Sequence, residues 1–248
     1  MKALKYSDIV LVPSYTECES RSTCDTSTEI LGRQYKLPII PANMRAVVNE
    51  KHCEWLSRNG YFYIMHRFDI DIWDFILKAN DSDWPLISIS LGVKKEDMNL
   101  VDKLNEWSIP RVDFITIDIA HGHSSSMLTM IDYCKTKLPD TKIIAGNVAT
   151  PRAVEDLYNW GADIVKIGIG QGSPCTTKDK TGFTMPMFTC VKNCSDVHAG
   201  NAFSDEPLKK VPIIADGGVT CNGDIAKALV AGADLVMAGG LFASCTDS

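Results

Sequence analysis

The sequence predicts an α/β fold, a (β/α)8 barrel built from residues 1–248 as a single domain. Three observations carry that prediction. Eight short runs of β-branched and other apolar residues recur along the chain, helical patterns lie between them, and one pair of strand–helix units echoes another further on.

The runs are "LPIIPANM" (37–44), "YFYIMHR" (61–67), "LISISLGV" (86–93), "FITIDIAHG" (114–122), "KIIAGNVA" (142–149), "DIVKIGIG" (163–170), "VPIIADGGV" (211–219) and "DLVMAGGLF" (234–242). Each is apolar on both faces and ends in turn or polar residues, as parallel strands covered on both sides do. Between the fourth and fifth runs, Met127, Met130, Ile131 and Cys134 fall at i, i+3, i+4 and i+7, with Ser124 available as an N-cap. Thr150 followed by Pro151 starts a helix that presents Val154, Leu157 and Tyr158 and stops at Gly161. Ile225 and Leu229 mark another, which stops at Gly232. Strand, turn, helix, glycine, strand is the βα unit.

The echo supports closure. "IIAGNVAT" at Ile143 returns as "IIADGGVT" at Ile213, 70 residues on, and "GADIV" at Gly161 returns as "GADLV" at Gly232, 71 residues on. Two βα units therefore separate related pairs of strands, which suits eight parallel strands in a barrel. The competing arrangement is an open doubly wound sheet. Its dinucleotide fingerprint is absent: Gly168, Gly170 and Gly172 follow the sixth run without the helix start or the distal acid that the fingerprint needs.

Composition narrows the function. A net charge of −6 without runs of like charge argues against nucleic acid as the main partner, although backbone groups and helix N-termini still bind phosphates. The opening "MKALKYSDIVLVPSY" lacks the unbroken apolar run of a signal peptide, and no stretch approaches the roughly 18 apolar residues of a membrane span. Nine cysteines without a regular framework suggest reduced thiols. The expectation is a soluble cytoplasmic protein with neither membrane nor nucleic-acid partner. Cys190, Cys194 and His198 recur at four-residue spacing, which would line one helix face. Three ligands at best do not complete a structural zinc site, so half-buried helix residues are expected there. His121 and His123 flank Gly122 after an apolar strand, which favours a loop at the mouth of a site.

In a barrel the C-terminal strand ends converge on one mouth. Asn43, His66, Arg67, Asp118, Asn147, Cys175, Thr177, Asp216 and the pair Gly239–Gly240 all fall at such ends. "ADGGV" and "MAGG" close the last two runs with paired glycines, which let backbone N–H groups approach an anion, and a phosphate site between strands 7 and 8 recurs in barrels. Asp216, just before the first pair, is placed to hold ribose hydroxyls. In "GIGQGSPCTT" (168–177), a thiol on a glycine-rich loop near oriented N–H groups has its thiolate stabilised. Cys175 is thus the candidate nucleophile, Thr177 a hydroxyl able to relay a proton, and Ser173 a further hydroxyl for the phosphate.

"IIAGNVATP", "GADIVKIGIGQGSPCTT", "KTG", "VPIIADGGV" and "GDIAKALVAGADLVMAGGLFA", with "SRSTCDT", "PIIPANM", "GYFYIMHRFD" and "TIDIAHGHS" in the first half, resemble the IMP dehydrogenase and GMP reductase family along essentially the whole chain. Only a short helix's worth separates Arg67 from Leu86, where the dehydrogenases usually insert a regulatory domain, so none is expected here. That shortness, "ANM", and "CTTKDKTG" with Lys180 before Thr181–Gly182 resemble the reductase branch. The resemblance then implies NADPH-dependent reductive deamination of GMP to IMP and ammonia. The Cys175 thiolate would attack purine C2 and expel the amino group, hydride would reach the thioimidate carbon, and Thr177 would take part in protonating the departing ammonia.

The same resemblance implies the remaining site. Ser173, Gly217, Gly218, Gly239 and Gly240 match phosphate positions, Asp216 the ribose ligand and Met44 a residue near the base. Asp118, Ile119, Ala120, Ile169 and Gly170 match cofactor contacts, with Arg67 where lysine is common. Ser20 and Arg21 match a cofactor contact from a neighbouring subunit, which implies an oligomer, commonly a homotetramer. Carbonyls of Gly170, Gly172, Cys175 and Lys178 match a potassium site. Gln171, Pro174 and Arg45 depart from the family's usual residues. Family members also continue past the equivalent of Ser248 with a flap carrying a catalytic glutamate and a last helix, so the barrel is expected to lack both if the chain ends there. The readings that compete with the reductase are IMP oxidation to XMP with NAD through the same adduct, and a nucleotide-binding module without turnover.

Overall fold

The computed structural model describes residues 2–106, 110–172, 176–200 and 208–245. Strands are β1 (Thr28–Ile30), β2 (Arg33–Tyr35), β3 (Ile39–Pro41), β4 (Ser88–Leu91), β5 (Phe114–Asp118), β6 (Lys142–Val148), β7 (Ile164–Ile167), β8 (His198–Ala199), β9 (Lys209–Lys210), β10 (Ile213–Asp216) and β11 (Leu235–Ala238). Seven of them form one curled sheet in the order β3-β11-β10-β7-β6-β5-β4, and every pairing in it is parallel. Helices α1 (Glu50–Arg58), α2 (Ile72–Asp81), α3 (Lys95–Glu106), α4 (Ser125–Lys137), α5 (Pro151–Asn159), α6 (Thr177–Thr181), α7 (Met187–Cys194), α8 (Asn222–Val230) and α9 (Gly240–Ala243) intervene. Strand, helix and right-handed return to a parallel neighbour is the (β/α)8 pattern.

The second run, 61–67, departs from expectation. It occupies the eighth position but makes no ladder, only a single parallel bridge between Met65 and Ile89. On its other side the backbone N–H of Lys36, ahead of β3, donates to the carbonyl of Gly60, just ahead of the run, at 3.0 Å. Side-chain hydroxyls have taken acceptors that a regular ladder would use. Ser90 donates to the carbonyl of Met65 at 2.7 Å, and the carbonyl of Leu86 receives the hydroxyls of both Ser57 (2.9 Å) and Tyr63 (2.8 Å). The segment is held by burial instead: Phe62, Tyr63, Ile64 and Met65 are fully buried.

The N-terminal ends of the strands are covered by the antiparallel hairpin β1–β2, which periodicity alone does not announce. Tyr35 of β2 meets Phe62 edge-to-face at 5.1 Å, and Phe62 meets Phe114 of β5 at 5.0 Å. With the bottom plugged, the polar strand ends at the other face remain for chemistry.

The helices follow their caps. Ser124 accepts from Met127 N–H at the start of α4, whose Met127, Met130, Ile131 and Cys134 are all buried. Thr150 accepts from Ala153 N–H at 3.3 Å, Pro151 opens α5, and Val154 and Leu157 are buried. The expected line of Cys190, Cys194 and His198 along one helix does not form. The two cysteines of α7 are fully buried rather than half-buried, because that helix packs against α8 and the sheet. Ser195 ends it by donating to the carbonyl of Ala231, and His198 is exposed on β8, paired with Lys210. No helix among the described residues is long and apolar enough to cross a membrane.

Loss of the α5 cap is a direct check on this construction. Thr150→Ala is expected to lower unfolding free energy by about 1 kcal/mol. Thr129→Ala, which removes an exposed mid-helix hydroxyl from α4, should change it by less than about 0.5 kcal/mol. Urea denaturation of both variants decides, and equal effects would remove the cap from the account.

Candidate active site

The mouth of the barrel is organised by one side chain that the sequence reading did not select. Lys166 lies in the middle of β7, in register with Gly146 of β6 and Ile214 of β10, and its side chain is only 2% exposed. Its Nζ donates to Asp216 Oδ2 at 2.6 Å and lies 3.0 Å from Asp118 Oδ1. Gly146 makes room for it: a Cβ there would fall 2.7 Å from the Cβ of Lys166 and 2.5 Å from its carbonyl oxygen.

Two asparagines complete the polar cluster. Asn43, buried just after β3, donates to Asp118 Oδ2 at 2.9 Å. Asn147, near the end of β6, donates to Asp216 Oδ2 at 2.9 Å and to the carbonyl of Gly168 at 2.7 Å. Burial works against the charge of Lys166, but the two carboxylates outweigh it and raise its pKa above that of an ordinary lysine. Burial also pushes Asp118 up, yet Lys166, Asn43 and Arg67 more than compensate and hold it below the usual carboxylate range. Lys166 and Asp118 are therefore ionised at neutral pH, and the one buried cation lies between the two aspartates.

Several expected site residues meet around this cluster. Arg67 donates weakly to the carbonyl of Asp118 at 3.4 Å and lies over the Phe68 ring at 4.9 Å, while its Nε is buried without a partner among the described residues. Across the ends of β5 and β6, Ile119 donates its N–H to the carbonyl of Gly146 and accepts from Asn147 N–H. Met44 is partly exposed, and its sulfur would be 3.9 Å from a Cβ on Gly239. His66 is buried with its Nδ1 accepting from Phe68 N–H; burial, then the charge of Arg45, lowers its pKa. Arg45 itself pairs with Asp69.

The loops after β7 and β10 are packed backbone to backbone. A Cβ on Gly168 would sit 2.1 Å from the carbonyl oxygen of Asp216, so no other residue fits there. Gly217 has φ +107° and abuts the amide of Gly172, while Gly218 has φ +74° and donates its N–H to the carbonyl of Gln171 at 3.1 Å. Gln171 also donates to Thr184, whose hydroxyl donates to the carbonyl of Ile169. Thr177 and Lys178 open the short α6, which Gly182 caps by donating to the carbonyl of Lys178 at 3.0 Å. Gly239 and Gly240 begin α9, and a side chain at Gly240 would meet open space. Ser173, Pro174 and Cys175 lie outside the described residues.

Ser20 and Arg21 are not brought to the mouth. They lie in an exposed loop and, among the described residues, hydrogen-bond only within it. His121 is exposed, and His123 is turned aside to Asp156 at 3.0 Å. Lys166 did have a signal, a lone charge inside the apolar run "DIVKIGIG"; a lysine in a strand buried on both faces requires buried counter-charges.

Fold and site together define a parallel α/β barrel with a shared-cation cluster and glycine-rich loops at its C-terminal mouth. Residues 3–248 match the model of the IMP dehydrogenase / GMP reductase domain. The chain belongs to that family. A GMP reductase of Acidovorax ebreus (strain TPSY) is 49% identical to it, with 100% of this chain and 73% of the relative aligned. A GMP reductase of Staphylococcus aureus (strain Newman) is 46% identical with the same shares. The crystal structure of inosine 5'-monophosphate dehydrogenase from Legionella pneumophila superposes with a TM-score of 0.79 at 34% identity, covering 98% of this chain and 70% of that one.

The cluster makes a pH-dependent prediction. Removing the cation leaves two buried carboxylates uncompensated, so Lys166→Met is expected to cost about 3–5 kcal/mol near neutral pH. The lowered pKa of Asp118 means its ionisation stabilises the wild type above the unfolded carboxylate value of about 3.9, and this stabilisation is lost as pH falls through the folded value. Without Lys166 one carboxylate takes a proton, so the variant's deficit should shrink on going from about pH 8 to about pH 5.5. Equal deficits in urea denaturation at both pH values would mean that Lys166 acts by packing alone.

Proposed function

We propose that this chain is a GMP reductase, converting GMP to IMP and ammonia with NADPH as reductant. The observation that carries the reading is the 46–49% identity to GMP reductases along its whole length. The mouth suits it: a polar, ionised floor beside loops whose glycines bring backbone close to a ligand.

In this reading Cys175 is the nucleophile. Its thiolate bonds to purine C2, the 2-amino group leaves as ammonia after protonation, and a thioimidate remains. NADPH supplies a hydride to that carbon when bound, and the C–S bond breaks to release IMP and the thiolate. Thr177 holds or passes the proton that the departing nitrogen needs. Asp216 holds the ribose: its Oδ2 is taken by Lys166 and Asn147, while Oδ1 carries no hydrogen bond among the described residues. Met44 packs on the base beside Gly239. Backbone donors around Ser173, Gly217, Gly218, Gly239 and Gly240 hold the phosphate, and binding takes Gly218 N–H away from Gln171.

The dinucleotide would lie along Asp118, Ile119, Ala120, Ile169 and Gly170. The buried, unpartnered Nε of Arg67 is a donor that such a ligand would satisfy. Both oxygens of Asp118 are occupied by Lys166 and Asn43, so its part is to fix the floor on which the cofactor rests. Ser20 and Arg21 would reach the cofactor of another subunit in a homotetramer. Potassium would be held by the carbonyls of Gly170, Gly172, Cys175 and Lys178; the last already accepts from Gly182 and keeps one lone pair for a cation. A cytoplasmic location belongs to the same reading.

The test is nicotinamide absorbance in two mixtures, GMP with NADPH and IMP with NAD. Consumption of NADPH in the first is expected. Reduction of NAD in the second alone would make the chain a dehydrogenase, and nucleotide binding without either change would make it a binding module. Cys175→Ala should abolish turnover while retaining GMP binding, and Cys190→Ala should keep its turnover. Thr177→Ala is expected to slow reaction with GMP by about 10² to 10⁴. A nucleotide bearing chloride at C2, which leaves without a proton, should recover most of that loss in single-turnover NADPH oxidation. Equal impairment with both substrates would reduce Thr177 to a residue that shapes the loop.

A further inference from the structure

An exposed pair of cysteines lies in the loop before the hairpin, apart from the mouth. Cys18 and Cys24 flank the 3-10 turn Arg21–Thr23. Thr23 closes that turn by donating its N–H and its hydroxyl to the carbonyl of Ser20, at 3.0 and 2.7 Å, and Cys24 N–H adds a longer bond to the carbonyl of Arg21. The chain is folded back so that the two sulfurs are 3.4 Å apart. A disulfide is about 2.05 Å long, so the sulfurs need to approach by about 1.4 Å. Every residue from 18 to 27 is exposed, and no core packing resists that movement.

The two thiols are not equivalent. The hydrogen bond shared with Cys24, and then that with Thr23, holds the Cys18 thiol below its ordinary pKa, while the same contact with Cys18 raises that of Cys24. Cys18 is the sulfur set to attack, and Cys24 the one set to resolve. The other described cysteines differ in setting: Cys53, Cys134, Cys190 and Cys194 are buried, while Cys221 and Cys245 are exposed at the start of α8 and just after α9.

We propose that Cys18 and Cys24 form a reversible dithiol–disulfide site that exchanges with small-molecule disulfides of the glutathione class. The Cys18 thiolate bonds to one sulfur of the small disulfide, whose S–S bond breaks to release a thiolate. Cys24 gives its proton to that thiolate and attacks the Cys18 sulfur, expelling the second small thiolate, which picks up the proton first lost by Cys18. Two electrons and two protons pass from the protein to the small disulfide, leaving one intrachain bridge and two small thiols. In a reducing compartment an exposed bridge of this kind is transient. The ring that it closes encloses Ser20 and Arg21, so on the reading of those two as cofactor contacts it would constrain them; the exchange itself does not depend on that reading.

The experiment is peptide mapping of the full chain after incubation with oxidised glutathione. The fragment containing Cys18 and Cys24 is expected to lose two hydrogen atoms in mass and to regain them with dithiothreitol. In Cys24→Ser glutathione should remain bonded to Cys18, and in Cys18→Ser to Cys24, with no bridge in either variant. Cys221 and Cys245 should each carry at most a glutathione adduct. Separate adducts on Cys18 and Cys24 without a bridge, or an unmodified pair where Cys221 is already modified, would overturn the proposal.

Discussion

The structure depends on a single buried ammonium held between two carboxylates. Lys166 projects from the middle of a strand whose other residues are wholly apolar, and burying its charge would cost several kcal/mol without partners. Asp216 comes from the neighbouring strand β10 and Asp118 from β5, two places along the sheet on the other side. One cation therefore ties three strand ends into a fixed arrangement. Asn43 binds the second oxygen of Asp118 and Asn147 adds a bond to Asp216 Oδ2, so both carboxylates are held in place before any ligand arrives, while Asn147 Oδ1 is buried without a partner among the described residues.

That arrangement governs how close the loops can come. With Asp216 drawn inward by Lys166, its carbonyl runs against Gly168, where any Cβ would clash, and the chain leaving β7 is pressed onto the chain leaving β10. The bond from Gly218 to Gln171 extends the contact, and the hydroxyl of Thr184 pins Gln171 and Ile169 from the other side. The loop proposed to carry the nucleophile is thus anchored just before residue 173, and α6 anchors it again just after residue 176. At both anchors the position is set by backbone contacts. Gln171 and Pro174 depart from the usual family residues inside this frame without removing its anchors.

Much of this was legible before any coordinates. The apolar runs located the seven laddered strands, and Ser124 and Thr150 located helix starts to the residue, because capping depends on a side chain and an amide three positions away. Tertiary features were less readable. The run at 61–67 has the composition of a strand, but the Ser90 hydroxyl takes the Met65 carbonyl, and Tyr63 of the run itself joins Ser57 on the carbonyl of Leu86. His198 kept the helical spacing of Cys190 and Cys194, yet Ser195 ended the helix before it. Lys166 was visible as a letter but not as a role, since its meaning comes from Asp118 and Asp216, which lie 48 positions before it and 50 after it. Local chemistry is written locally, whereas a shared counter-ion is not.

The charge balance of the mouth also explains why an acidic chain suits an anionic ligand. Lys166 is saturated by two carboxylates, Arg67 is drawn towards the carbonyl of Asp118, and Arg45 is taken by Asp69. Lys166 and Arg45 are committed to the protein and Arg67 lies on the proposed cofactor side, so a phosphate on the proposed nucleotide would find its donors in backbone amides near Gly217 and Gly239 and at the start of α9. Such donors carry no net charge and pay little reorganisation, because the strands fix their direction. A free lysine or arginine at the mouth would bind any phosphate about equally. In the proposed reading, amides aimed from two strand ends would hold the phosphate while the ribose reaches Asp216 and the base reaches Met44, and that coupling of three contacts is where selectivity for one nucleotide would arise.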